Sequence, residues 1–387
     1  MKPRGRPLGT IVGIGELVPQ RSTTTETSLG LMADAAALAV ADAWLEPSDI
    51  DGLLVGQQLG ETPQHVPAAT AEYLGLKPRM ANVVDLGGAS AAGMVWRAAA
   101  AIEAGMCDVV LCVGGAARPG TFPSAKNRNP IREFDVPFGA SGANTTYAMI
   151  AQAHMDTYGT TAEDLATIAV RARDNAQLNP SAIFNGAPIT VQDVLDSPMI
   201  SAPIHRLDAV MEAAGGAAMV VVSPERARAM GRAGATLLGA GEYVTHRALS
   251  GAPSVTSGPL KRAMRQALDK SGAGLQDLGN YQLYDCYTIV VGITLEDLGV
   301  CSPGGFGRWI HDHDFSAKGD FPMNTHGGQL GFSQCGLAGP MSHVVEAVRQ
   351  LRGEAGGRQV PDPRLAMVTG NGATLSEATA LVLGGTL

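Results

Sequence analysis

The stretch Asp85-Leu-Gly-Gly-Ala-Ser90 constrains this chain more than any other. It sits between a short apolar run, Ala81–Val84, and a segment whose apolar residues Met94, Val95, Ala98, Ala99 and Ile102 recur at helical spacing. That order predicts a strand, a sharp glycine turn and a helix. Such a corner presents what it carries at the carboxyl end of a sheet, beside the unpaired N–H groups of a helix start. It is built like a turn that displays a nucleophile, yet it holds no cysteine. A glycine corner that only lets a helix pack closely on its strand is the plainer alternative.

The same order comes twice. Gly327–Gly336 is a second glycine-rich loop, and a helix follows it with Met341, Val344, Val345, Val348 and Leu351 on one face. The strand Leu365–Val368 then matches Asp108–Cys112, which follows the first corner and ends in Gly114-Gly115. Two related halves are implied. Upstream, a strand at Thr10–Ile14, a helix at Gly30–Ala43 and a strand at Gly52–Val55 extend the alternation, so a mainly parallel sheet covered on both faces is expected. From Arg118 the texture changes. Pro119, Pro123, Asn127, Asn129 and Pro130 mark irregular chain, helical stretches follow at Asn144–Tyr158 and Ala162–Leu178, and the region to His205 reads as an insertion over the sheet. The continuous apolar run Ala217–Val222 should be a central strand. These divisions give a first lobe from 1–118 and 206–245, a loop domain at 119–205, and a second lobe at 246–387.

A chain of 387 residues should hold two or three packed units. Its 49 glycines and only 5% aromatics point to helices lying close on sheets through small side chains. The net charge of -8, without a basic block, argues against nucleic acid as a partner. No apolar stretch reaches the ~18 residues of a membrane span, and Pro3, Gly5 and Pro7 break any leader pattern, so a cytoplasmic protein is expected. The five cysteines are odd in number and lack Cys-x-x-Cys pairing, which disfavours a disulfide framework and a zinc site.

Four stretches together resemble the thiolase superfamily, in its sterol-carrier-protein thiolase branch. They are Asp85–Ser90 with its helix and the Gly105–Gly114 strand; Tyr284-Asp-Cys-Tyr-Thr288 followed by Leu295–Gly299; Asn324-Thr-His-Gly-Gly328 running into Gly336–Gly339; and Thr369-Gly-Asn-Gly-Ala373. The resemblance covers nearly the whole chain. It implies an α/β thiolase fold: two βαβαβαββ lobes in five α-β-α-β-α layers, with an inserted loop domain.

The departures from that family carry the functional reading. The resemblance puts Gly88 where thiolases carry their nucleophilic cysteine, and a glycine cannot form an acyl-enzyme. A shift of two residues would place Ser90 there instead. Tyr284 stands at a family histidine, Phe332–Gly336 replaces Gly-His-Pro-x-Gly, Val290 replaces an asparagine, and Gly370 replaces a second cysteine. The pattern is closest to cysteine-less, thiolase-like steroid side-chain aldolases, in which a second tyrosine occupies the position of Ser333.

This resemblance implies a carbon–carbon lyase that cleaves a β-hydroxy acyl-CoA by a retro-aldol reaction without an acyl-enzyme. Tyr284 is the expected acid/base, with His326 and Ser333 as further catalytic candidates. Gly88, Ala89, Ser90, Asn324 and Gly372 are the expected binders of the enolate oxygen or the CoA thioester. Each has a structural alternative: a packed tyrosine, a loop histidine, a serine bonded to its own loop. Cys286 and Cys335 are candidate replacement thiols, with burial as the alternative. Phe134, Phe138, Met149 and Met155 face either the acyl group or the core. CoA serves as substrate carrier, with no metal or other cofactor in the chain, and the expected partners are a second copy and a small zinc-ribbon and OB-fold protein. Two rival functions stay open: a thiolase or acyltransferase with a relocated nucleophile, and a non-catalytic acyl-CoA-binding subunit.

Overall fold

In the computed structural model, residues 6–56, 65–118, 137, 139 and 142–386 are described; Phe134 and Phe138 lie outside them. The first half runs β1 (Gly9–Glu16), α1 (Ser28–Asp42), β2 (Gly52–Gly56), α2 (Val66–Tyr73), β3 (Met80–Val84), α3 (Ser90–Glu103) and β4 (Val109–Ala116). The segment that follows holds α4 (Gly142–Tyr158), α5 (Ala162–Gln177), α6 (Val191–Leu195) and the small hairpin β5 (Met199–Ser201) and β6 (Ile204–His205). Then come β7 (Gly215–Val222), α7 (Pro224–Met230), β8 (Ala235–Val244), α8 (Leu260–Ser271), β9 (Leu278–Gln282), α9 (Thr288–Leu298), α10 (Phe306–Asp312), α11 (Gly328–Gly331), α12 (Ala338–Arg352), β10 (Leu365–Gly372) and β11 (Glu377–Gly385).

The strands form one nine-stranded sheet in the order β3-β2-β4-β7-β1-β8-β11-β10-β9. Its halves are repeats. β8, β11, β10 and β9 stand in the second half as β1, β7, β4 and β2 do in the first, and a lone parallel bridge between Tyr281 and Met323 takes the place of β3. A three-residue pairing of β1 with β8 joins the halves. Because β8 pairs with β11 along its whole length, it opens the second half, although the sequence reading ended the first lobe at 245.

The expectation of a mainly parallel sheet is wrong. Only β2–β3, β2–β4 and β9–β10 are parallel; the remaining pairings, β4–β7, β7–β1, β1–β8, β8–β11 and β11–β10, are antiparallel. Helical crossovers produce parallel neighbours, whereas the return through α4–β6 and the β10–β11 hairpin reverse direction.

Close packing explains the glycine content. Cβ atoms on Gly13 and Gly15 of β1 would stand 2.2 Å from the carbonyls of Ala39 and Ala35 on α1. The second half repeats the device: on Gly239 and Gly241 of β8 they would stand 2.1 and 2.0 Å from the carbonyls of Ala267 and Ala263 on α8. Two glycines per strand thus let an alanine-faced helix settle on the backbone. α3 and α12 share one core with residues from both half-sheets, which makes them the middle layer, while α1 and α8 cover the outer faces. All of α9 is buried, under α4 and α5, with its acidic residues Glu296 and Asp297 bonded to His154 and to Ser257 and Gly258. Among the described residues no helix is long and apolar enough to cross a membrane.

Candidate active site

The corner at Asp85–Ser90 forms as its sequence dictates. Gly87 takes φ +50°, the Ala89 N–H donates to Leu86 O at 2.9 Å, and the Ser90 N–H donates to Gly87 O at 3.0 Å. Ser90 Oγ accepts the Leu86 N–H at 2.9 Å. The serine is fully buried, and its hydroxyl braces the turn; among the described residues no base touches it. The relocated-serine alternative therefore loses its geometry. The corner also lies directly on the end of β10, where a Cβ on Gly372 would stand 2.0 Å from Leu86 O and one on Gly370 2.7 Å from Ala89 Cα.

Tyr284 reaches the same point from the second half. Asn324 pins the preceding residue: its Oδ1 accepts the Leu283 N–H and its Nδ2 donates to Leu283 O, both at 2.8 Å. The Tyr284 N–H then donates to Thr369 Oγ1 at 3.0 Å. With its backbone held on both sides, the phenol comes down over Gly88. A Cβ on Gly88 would stand 2.4 Å from Tyr284 Cε2, from its Oη and from Asn371 O. Gly88 and Tyr284 thus fill one space between them.

Burial, with the adjacent Cys286 thiol and then the Asp285 charge, pushes the Tyr284 phenol well above its ordinary value. It is a protonated phenol at neutral pH. Tyr147 of α4 lies beside it, donating to Ala373 O at 3.1 Å and accepting from Asn371 Nδ2 at 3.0 Å. Its ring stacks on Tyr287 at 4.4 Å between centroids, and the Tyr287 hydroxyl bonds Asn144. Since Asn371 gives its NH2 to Tyr147, its Oδ1 is left buried with no partner among the described residues. Burial pushes the thiols of Cys286 and Cys335 each up to about 12, so neither is a thiolate that could replace the missing nucleophile.

Asp285 anchors α11, accepting the Gln329 N–H at 2.8 Å and the Leu330 N–H at 3.3 Å. It also meets His343 Nε2 at 3.1 Å. His343, from α12, lies 6.5 Å from Tyr284 between ring centroids. His326 stands behind it, 5.2 Å from His343 and bonded through Nε2 to Ser342 Oγ at 3.1 Å. Burial, then the neighbouring His343, push His326 well below its ordinary pKa, leaving it neutral.

The structure therefore gathers Gly88, Ala89, Ser90, Tyr284 and Gly372 in one place. It leaves three candidates apart. His326 is separated from Tyr284 by His343. Asn324 spends its amide on Leu283, supporting the tyrosine from behind. Ser333 is fully buried, with Oγ 3.1 Å from Cys335 Sγ, in a loop that pairs backbone to backbone with Met211 and Ala213. Tyr147, Tyr287, Asn371 and His343 were missed. Tyr287 and Asn371 fall inside stretches already singled out by the sequence, whereas Tyr147 comes from the insertion and carries no local signal.

The first part of the chain, residues 14–202, matches the family model "Thiolase, N-terminal domain", and residues 241–385 match "Thiolase C-terminal domain-like". The chain belongs to the thiolase superfamily. It is 34% identical to the steroid side-chain-cleaving aldolase of Thermomonospora curvata, over 89% of this chain and 90% of that protein. It is 32% identical to the 17-hydroxy-3-oxo-4-pregnene-20-carboxyl-CoA lyase of Mycobacterium tuberculosis, over 89% and 91%. Among solved structures, the Ltp2-ChsH2(DUF35) aldolase superposes with a TM-score of 0.88 at 33% identity, covering 98% of both chains.

Proposed function

We propose that the protein is an acyl-CoA carbon–carbon lyase that cleaves a β-hydroxy acyl-CoA by a retro-aldol reaction, with a steroid side-chain CoA thioester as substrate. The interlock of Gly88 with Tyr284 carries this reading: the space a thiolase cysteine would need is filled by a phenol. The activities named for the two curated relatives support it.

The chemistry follows from a resting phenol. Cleavage moves the β-hydroxyl proton to the α-carbon, breaks the Cα–Cβ bond and releases a ketone or aldehyde with a shortened acyl-CoA. It is redox-neutral and proton-balanced, so CoA as carrier suffices. With the phenol protonated at rest the two transfers are concerted with cleavage: Tyr284 gives its proton to the α-carbon as the Cα–Cβ bond breaks and takes the one leaving the β-hydroxyl. The Ala89 and Ser90 amides are occupied inside the corner, which narrows the enolate donors to the Gly88 amide, with Gly372 across from it. One well-placed donor of this kind is worth about 3 kcal/mol. His343 on Asp285 stands behind the phenol, and His326 and Ser333 act on substrate only through neighbours.

The protein works in the cytoplasm as a homodimer, through the exposed edge strand β3, and with a small zinc-ribbon and OB-fold partner. The solved relative is itself a complex with a DUF35 protein. Tyr284→Phe tests the assignment. Turnover of a β-hydroxy acyl-CoA panel should fall about 10²–10⁴-fold with the melting temperature and KM little changed. Full activity in the assembled complex would refute the role of Tyr284.

A further inference from the structure

We infer that Tyr147 is a further catalytic residue: its phenol takes the proton leaving the substrate's β-hydroxyl and hands its own, through the Cys286 thiol, to Tyr284. The inference rests on the lyase reading above. The Cys286 thiol stands within hydrogen-bonding reach of both phenols. Asn371 spans the same two side chains. Its Nδ2 donates to Tyr147 Oη at 3.0 Å, while its backbone O and Tyr284 Oη each lie 2.4 Å from the place a Cβ on Gly88 would take.

The two phenols reach this point from different parts of the fold. Tyr284 follows β9 and comes down on the corner, whereas Tyr147 is carried by α4, over the sheet, with its ring stacked on Tyr287. With the thioester oxygen at the Gly88 amide, the substrate's α-carbon falls beside Tyr284. The β-carbon and its hydroxyl lie one bond further from the corner, on the α4 side. Tyr147 has capacity left for them. Its oxygen accepts the Asn371 amide and keeps a second lone pair. Its donation to Ala373 O, at 3.1 Å, is longer than the about 2.7–2.8 Å of a good hydroxyl bond, so the O–H can turn to the sulfur. Asn371 Oδ1, buried with no partner among the described residues, gives an incoming hydroxyl a place to dock next to the phenol.

Charge favours a relay over a free phenolate. Burial pushes the thiol up to about 12 and both phenols well above their ordinary value, so all three groups rest protonated. A phenolate or thiolate left among them would be an unpaired buried charge. A concerted relay never forms one. The β-hydroxyl proton passes to the Tyr147 oxygen, the Tyr147 proton to the Cys286 sulfur, the thiol proton to the Tyr284 oxygen and the Tyr284 proton to the α-carbon. The electron pair of the Cα–Cβ bond forms the new C–H bond, and the hydroxyl O–H pair becomes the second bond of the released carbonyl. Each protein group ends as it began.

The test is steady-state turnover of the β-hydroxy acyl-CoA panel by the wild type, Tyr147→Phe, Cys286→Ala and Cys286→Ser, with the partner subunit where one co-purifies. Tyr147→Phe keeps the ring on Tyr287 and should fold, which thermal melting checks; if it does not, the two Cys286 variants decide. Tyr147→Phe should lower kcat about 10²-fold or more with KM changed less than about threefold. Cys286→Ala should lower kcat comparably, and Cys286→Ser, which restores an O–H in the thiol's place, should recover most of the loss. A packing role would give the reverse order, because a serine hydroxyl is costlier than a methyl in a buried site. Wild-type kcat in Tyr147→Phe or in Cys286→Ala, or equal losses in the alanine and serine variants, overturns the relay and leaves the lyase reading standing. Failure of the wild type to cleave any member of the panel overturns both.

Discussion

Placing a side chain on Gly88 is the sharpest perturbation this structure offers. A Cβ there would stand 2.4 Å from two atoms of Tyr284 and from Asn371 O, against an ordinary contact of about 3.5 Å. An overlap of about 1 Å on three atoms, a ring carbon and the hydroxyl of a buried phenol and one strand carbonyl, should cost about 1–3 kcal/mol. At about 2.1 cal/mol/K of unfolding entropy per residue, the 387 residues turn that into a fall of about 1–4 °C in melting temperature. Gly88→Ala should also lose lyase turnover, because the phenol must move. Gly88→Cys should behave in the same way without gaining thiolase chemistry: intact mass in the presence of acyl-CoA should show no acyl adduct. Removing the ring isolates the cause. In a Tyr284→Ala background, Gly88→Ala should cost less by about 1 kcal/mol or more in a double-mutant cycle, with the Asn371 contact accounting for the remainder. A Gly88→Ala variant with wild-type stability and turnover would refute the shared-space argument.

Further outcomes follow from the same geometry. Ser90→Ala leaves the Leu86 N–H without its acceptor in a buried corner and should cost about 1–3 kcal/mol by urea unfolding; a covalent acyl group lost with the hydroxyl would contradict the bracing role. Asn324→Ala removes both bonds to Leu283 and should lower kcat more than it raises KM, since it unsettles Tyr284 from behind; unchanged kinetics would remove Asn324 from the account. Burial raises the protonation ranges of Cys107 to about 11 and of Cys286, Cys335 and Tyr281 to about 12, so the native state keeps protons the unfolded chain gives up. Unfolding free energy should therefore be fully present below about pH 9, the ordinary thiol value, and decline above it; urea midpoints that rise between pH 9 and 10.5 would contradict the sign.

Architecture was the legible part of this sequence. Periodicity placed β1, α3, β7, α12 and β10, because a glycine corner followed by apolar residues at helical spacing has few other solutions. Strand direction was hidden, since antiparallel β4–β7 depends on where a long insertion returns. At the site, Gly88 and Tyr284 could be singled out because they depart from the family inside family-like stretches, and Gly372 because its stretch keeps the family pattern. His326, Ser333 and Asn324 share those stretches but spend their polar atoms on other neighbours. Which way a loop side chain turns is decided by partners far away in sequence, as Asn324 is by Leu283. Tyr147 shows the converse, entering the site from a helix whose sequence reads only as cover.

The two ends of the sheet differ in kind. β3 ends the first half with five residues, among them exposed Asn82 and Val83. At the far end β9 is already occupied: the Tyr281 N–H donates to Pro322 O at 2.9 Å and Tyr281 O accepts the Asn324 N–H at 2.8 Å. A sheet open at both ends can add neighbours indefinitely, which is the route to fibres. Among the described residues this sheet has a single open end, so pairing β3 with the β3 of another copy would leave it no free edge. The loop that aims Tyr284 therefore also limits growth, because the residues steadying the site are those that close the sheet.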